Sequence, residues 1–193
     1  MKLQQILIGF YFWQHRMQLL MGQLVAWGTL GLVLVTALVV ILRYGLSTGS
    51  IALQESTLYL HAVVFMLGIS YTYNQDRHVR VDVFYAQCSE KKRLWINFLG
   101  NLFLALPTMG FILWVGWDYV SASWAIQERS TEASGLGYIY LLKTLIILMP
   151  IFMILQILGH MVYQGFALFQ PETVTQLNAA VKKQEENHRE AAL

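Results

Sequence analysis

Residues 24–42 read LVAWGTLGLVLVTALVVIL, and Arg43 closes the run. These nineteen residues carry no charge. As a helix rising 1.5 Å per residue they reach about 28 Å, close to the roughly 30 Å hydrocarbon core of a bilayer. Inside lipid every backbone N–H and C=O must be satisfied within the segment, which only a helix or a closed barrel achieves. A barrel requires shorter strands of alternating polarity, and this run does not alternate. Leu24–Leu42 therefore predicts a membrane-spanning helix.

Working outward, the chain repeats the pattern. Ser56 to Tyr73 is apolar apart from one ionisable residue, His61. Leu94–Trp117 is a third run, and Tyr138 to Phe166 a fourth, with Lys143 near its start. The whole chain agrees: 193 residues, 56% hydrophobic and only 12% charged, with a mean hydropathy of +0.50. A soluble domain carries roughly 25% charged residues. The expectation is an all-α membrane protein with four transmembrane helices. Trp95, Trp114, Trp117, Tyr44, Tyr71, Tyr73, Tyr138 and Tyr140 stand near the span ends, where aromatic belts form.

Orientation follows from the cations. Lys2, Arg16, Arg77, Arg80, Lys91, Lys92, Arg93, Lys182, Lys183 and Arg189 fall on one set of span ends, and Arg43, Arg129 and Lys143 on the other. The positive-inside rule predicts cytoplasmic N and C termini and a cytoplasmic 74–93 loop, with the 43–55 and 118–137 loops outside. The apolar run Ile6 to Trp13 is followed by His15 and Arg16 without a small-x-small cleavage site, so no cleavable signal peptide is expected.

Residues 1–21 form a separate expected element. Leu3, Ile6, Leu7, Phe10, Gln14, Met17, Leu20 and Met21 recur at helical spacing, apolar except at Gln14. This pattern predicts an amphipathic helix in the inner membrane interface. The alternative is a simple extension of span one into water. Residues 22–170 are the four-helix domain, and the charged stretch 171–193 is expected to be a solvated cytoplasmic tail. Pro107 and Pro150 fall inside spans three and four and should kink them.

The composition excludes several functions. A single cysteine, Cys88, rules out an internal disulfide, a CxxC pair and a Cys-rich metal site. A net charge of +2 is too small for nucleic-acid binding. There is no P-loop, dinucleotide fingerprint, nucleophile elbow or paired in-membrane carboxylate. No enzyme, cofactor or metal is expected.

Few polar groups remain as candidates. An ionisable residue inside a span is a functional candidate by default. His61 reads either as a neutral imidazole bonded to a neighbouring helix, or as the relay or haem ligand of a self-contained transporter or redox subunit. Its one possible histidine partner in a span, His160, lies at a different depth. Arg43 and Glu55 flank one short outer loop, and they are expected to pair or to contact a partner subunit. Asn97 and Asn101 share a helix face and should bond across a helix interface. His78, Arg80 and Asp82 alternate with Val79, Val81 and Val83 in a polar run that directly follows span two. Trp124 and Glu128 mark the outer loop as a docking surface or an interface anchor.

Taken in order, these motifs resemble the small membrane subunit of tripartite ATP-independent periplasmic (TRAP) transporters. The resemblance runs from about Arg43 to His160. It is carried by Arg43-Tyr44, Leu53-Gln54-Glu55-Ser56, Leu67-Gly68, His78-Val79-Arg80-Val81-Asp82, Ser123-Trp124, Glu128, Gly135-Leu136 and Leu142-Lys143. Ser130-Thr131-Glu132 and Asn74-Gln75 depart from the usual pattern. The resemblance implies a multi-pass protein of the bacterial inner membrane that acts as a scaffold. Its implied partners are a large membrane (M) subunit that binds substrate and sodium and moves elevator-fashion, a periplasmic substrate-binding (P) protein that delivers an organic acid, and membrane lipid. Arg43, Glu55, Trp124, Glu128 and Lys143 would then face partners at the outer rim, and His78, Arg80 and Asp82 would brace the inner rim.

Overall fold

Helices account for nearly all of the computed structural model, which describes residues 2–75, 85 and 87–190; no strand occurs among them. The run His78–Asp82, with its three candidate residues, lies outside the described residues.

Helix α1 covers Lys2–Val40 and ends in a wide π-turn at Ile41–Gly45. Ser47 then takes a left-handed φ of 51° and reverses the chain. Helix α2 covers Ile51–Asn74, and its first turn is capped by the Ser50 hydroxyl, which accepts from the Leu53 N–H at 3.3 Å. Helix α3 is Glu90–Gly100 and α4 is Leu106–Ala125, joined by a second π-turn at Asn101–Ala105 into one long span. Helix α5 is Ile139–Phe169 and α6 is Pro171–Glu190. Each of the four expected spans falls within one long apolar helix.

The second π-turn has a local cause. Pro107 offers no N–H to the carbonyl one turn back, and its ring crowds that carbonyl. The ladder widens by one residue just before it, over Asn101–Ala105. Pro150 leaves α5 unbroken and is fully buried.

Helix α5 is the hub of the bundle and packs against every other helix. It supplies much of the buried interior, including Leu145, Ile147, Met153 and Ile157. Helices α1 and α2 form a close antiparallel hairpin. Gly22 lies directly against the Tyr71 ring, and a Cβ on Gly28 would come within 2.9 Å of Val64. Small residues at such points let helices approach where lipid supplies no hydrophobic drive. The outward faces are apolar, as in Trp27, Phe103 and Trp114, the last 74% exposed.

The first half of α1 differs from the expected pattern. Lys2–Val40 is one unbroken helix, with no division at residue 21. Its polar residues Gln14, His15 and Gln18 are buried in the bundle, while Ile6, Trp13 and Leu20 face outward. These three polar residues turn inward, while Gln5 and Arg16 stay exposed, because the surroundings of a membrane bundle are as apolar as leucine. Amides then find partners only inside, against other helices. Helix α6 is anchored through buried Leu177 and through Gln4, whose amide donates to the Thr173 hydroxyl at 3.4 Å.

Candidate functional site at the α4–α5 loop

The site is built on the loop that joins α4 to α5. Helix α4 ends in a Schellman motif: the Glu128 N–H donates to the Ser123 carbonyl at 3.0 Å, and the Gln127 N–H to Trp124 at 3.1 Å. Gln127 holds the left-handed φ of 46° that this ending demands. The loop then folds on itself, with the Ser130 N–H donating to the Leu136 carbonyl at 3.1 Å.

Glu55, in the first turns of α2, fastens this loop to the hairpin. One carboxylate oxygen accepts from the Ser130 hydroxyl and the other from the Leu136 N–H at 2.5 Å. Gly135 is pressed against the same joint. A Cβ there would come within 2.7 Å of the Glu55 carboxylate and closer still to Ser130. Any side chain at 135 would push the clamp open.

A second joint lies beside it. The Lys143 ammonium donates to the Glu128 carboxylate at 2.5 Å and sits 4.1 Å from the centroid of the Tyr119 ring. Helix α4, the loop and the start of α5 thus meet at one cation. The bond from Lys143 holds the Glu128 carboxyl below its ordinary value of 4.5. Close by, the Trp124 indole N–H donates to the Thr144 hydroxyl at 2.9 Å, and its ring meets Tyr140 at 4.8 Å. Trp124 remains half exposed, so it is both an anchor and a surface.

The residues Glu55, Ser123-Trp124, Glu128, Gly135-Leu136 and Lys143 are scattered over ninety positions of the chain and converge here. A family model described as "Tripartite ATP-independent periplasmic transporters, DctQ component" matches residues 32–167. The chain belongs to this family. It is thus a membrane component of a tripartite transporter and a multi-pass protein of the bacterial inner membrane. No curated relative and no solved structure matches it.

For a DctQ chain, the convergence explains what the scattered motifs do locally: they hold the loop between α4 and α5 in one shape. Arg43 behaves differently from expectation. Among the described residues it forms no ion pair with Glu55, because Glu55 is taken up by the loop. Arg43 instead stands exposed at a shallow recess lined by Ser47, Thr48, Ser50 and Gln54. His61 also differs. It lies exposed on the outer face of α2 and stacks on Phe65, so no neighbouring helix bonds it. His160 packs on Tyr73 at a centroid distance of 4.9 Å. Tyr73 is twelve residues from His61, about 18 Å along the helix, so the two imidazoles cannot share a haem.

The other end of the bundle carries polar contacts that were only partly foreseen. Asn101 accepts from the Tyr73 hydroxyl and donates to Gln164 at 3.3 Å, as expected for an amide at a helix interface. Asn97 donates to the Tyr85 hydroxyl at 2.8 Å. Gln14, Gln156 and Asn74 form a further chain of amides. Its sequence signal was Gln14 standing alone in an apolar stripe, with Gln18 one turn later.

Proposed function

We propose that this DctQ-family chain is the scaffold subunit of a sodium-coupled, binding-protein-dependent TRAP transporter for an organic acid. It enlarges the fixed frame against which a large M subunit moves its transport domain. Both termini face the cytoplasm, and the clamped outer loop faces the periplasmic P protein or braces the M subunit there. Arg43, Trp124 and the Glu55 and Glu128–Lys143 joints belong to that outer surface, and His78, Arg80 and Asp82 brace the inner rim.

One observation carries this reading: among the described residues, no Asp, Glu, Lys or Arg is buried in the bundle. The buried polar groups are neutral amides, two serines and His15. An anion crossing such an interior would leave water without a compensating charge, which is prohibitive. Passage of an organic acid needs another subunit. The exposure of His61 on the lipid face also weighs against a transporter or redox bundle centred on it.

Reconstitution tests the proposal. Liposomes holding this chain alone should take up no organic acid under a sodium gradient. Liposomes holding it with its M subunit should do so when the P protein is supplied outside. Uptake by the chain alone would overturn the reading.

A further inference from the structure

Gln14 and Gln18 lie one turn apart on α1 and are 1% and 0% exposed. The Gln14 amide donates to the Gln156 carbonyl oxygen on α5, and its own carbonyl oxygen faces Gly159, where a Cβ would come within 2.7 Å. Gln156, fully buried, donates onward to Asn74 at the end of α2 at 2.9 Å. One turn past Gln18, Gly22 lies against the Tyr71 ring of α2. Gln18 therefore sits between a contact to α5 and a contact to α2, facing the seam of the three helices.

The cluster is incompletely bonded within the protein. Gln14 Oε1, Gln18 Oε1, Gln18 Nε2 and Asn74 Nδ2 are buried with no hydrogen-bond partner. Exchanging the amide oxygen and nitrogen of Gln18 changes nothing, because both are unpartnered. Leaving such groups unanswered in a dry interior is costly.

We propose that this seam is a binding site for structural water, one or two molecules joining Gln18 to Gln14 and Asn74. The donor set selects the ligand. It offers two carbonyl oxygens and two amide N–H₂ groups, and water both donates and accepts. A monovalent cation would suit the two oxygens but would set a positive charge against the two amide nitrogens. An anion would suit the nitrogens and repel the oxygens. Solvent reaches the edge of the cluster, since Asn74 also lines a pocket of about 360 Å³ together with Tyr11, Asn97 and Gln164. The bridges are directional, so they fix α1, α2 and α5 in register where apolar packing alone would let them slide.

Gln18→Met in the full chain tests the site, because methionine keeps the length and removes both polar atoms. With water bound, the substitution expels it and strands Gln14 Oε1 and Asn74 Nδ2, and the Tm in detergent falls by about 3–8 °C. In a dry seam the same change removes two unpaired atoms, and an unchanged or raised Tm overturns the proposal. Should the variant fail to fold, a map of the wild-type complex at a resolution that resolves ordered water decides. Density within hydrogen-bond reach of the Gln18 amide supports the site, and its absence there overturns it.

Discussion

The two ends of this bundle solve the same problem, holding long apolar helices in one arrangement, with different chemistry. At the α4–α5 loop the joints are charged: Glu55 gathers a loop hydroxyl and a loop N–H, and Lys143 bridges Glu128 and Tyr119. At the other end the buried joints among the described residues are neutral, made of Gln14, Gln156, Asn74, Asn101 and Gln164. The difference follows burial. Glu128 and Lys143 stay in reach of water and keep their charges at little cost, whereas Gln14 and Gln156 are sealed among helices, where an ion would need several partners to offset its desolvation. Charge is used where the joints stay in reach of water, and amides where helices bury one another.

The largest effect should come from breaking the Glu55 clamp. Glu55→Ala removes the acceptor of two hydrogen bonds at once. Bonds to a charged group contribute about 1.5–3 kcal/mol each, and partial exposure reduces the sum. A Tm lower by about 5–10 °C is expected, with uptake by the reconstituted complex reduced severalfold. Thermal unfolding and vesicle uptake measure the two. Wild-type behaviour in both would remove Glu55 as the fastener of the loop.

At the neutral end, Gly159→Ala should come next. The added methyl meets the Gln14 amide, which has nowhere exposed to go. Overpacking of this kind costs about 1–3 kcal/mol. Denaturation of the purified chain reads it, and a neutral result would mean that α1 and α5 separate there without penalty.

A smaller, pH-dependent effect is expected at the second outer joint. Glu128 has its pKa lowered by Lys143, so the stabilisation is present above the ordinary carboxylate value and is lost as pH falls through the depressed one. Glu128→Gln should therefore lower Tm slightly at pH 7, and the difference from wild type should vanish in acid once the pH lies below the depressed carboxyl value. A difference that persists unchanged at low pH would show that the pair contributes by packing alone.

The smallest effect should follow His61→Ala. The imidazole stacks only on Phe65 at the lipid face, so uptake by the complex should stay at the wild-type level. A collapse of transport would restore His61 as a functional group and undo the division of roles between the ends.

Much of the architecture was legible from residue order. Four long apolar runs, each able to cross a bilayer, predict four helices, and they are found. Pro107 predicts a disturbance, and it appears as a π-turn just before it. The outer site was legible as a set of residues but not as a set of pairs. Spacing suggested Glu55 with Arg43, because they flank one short loop. The structure gives Glu55 to Ser130 and Leu136, more than seventy residues away, because the folded 126–137 loop offers it two aligned donors. The amide cluster was the least legible part. Gln14 read as a lone polar break in an apolar stripe and Gln18 as part of the opposite, polar side, since helical periodicity separates two faces without saying which one meets the bundle.

Hydrophobicity along the chain settled, without any structure, that this protein lives in a membrane as helices, because transfer of uncharged twenty-residue segments from water to lipid depends on composition alone. Only the tertiary structure decided which polar groups meet. A hydrogen bond depends on two or three atoms reaching one point at one angle, and the closest approach of α1, α2 and α5 is set by small residues and side-chain shapes from distant parts of the chain.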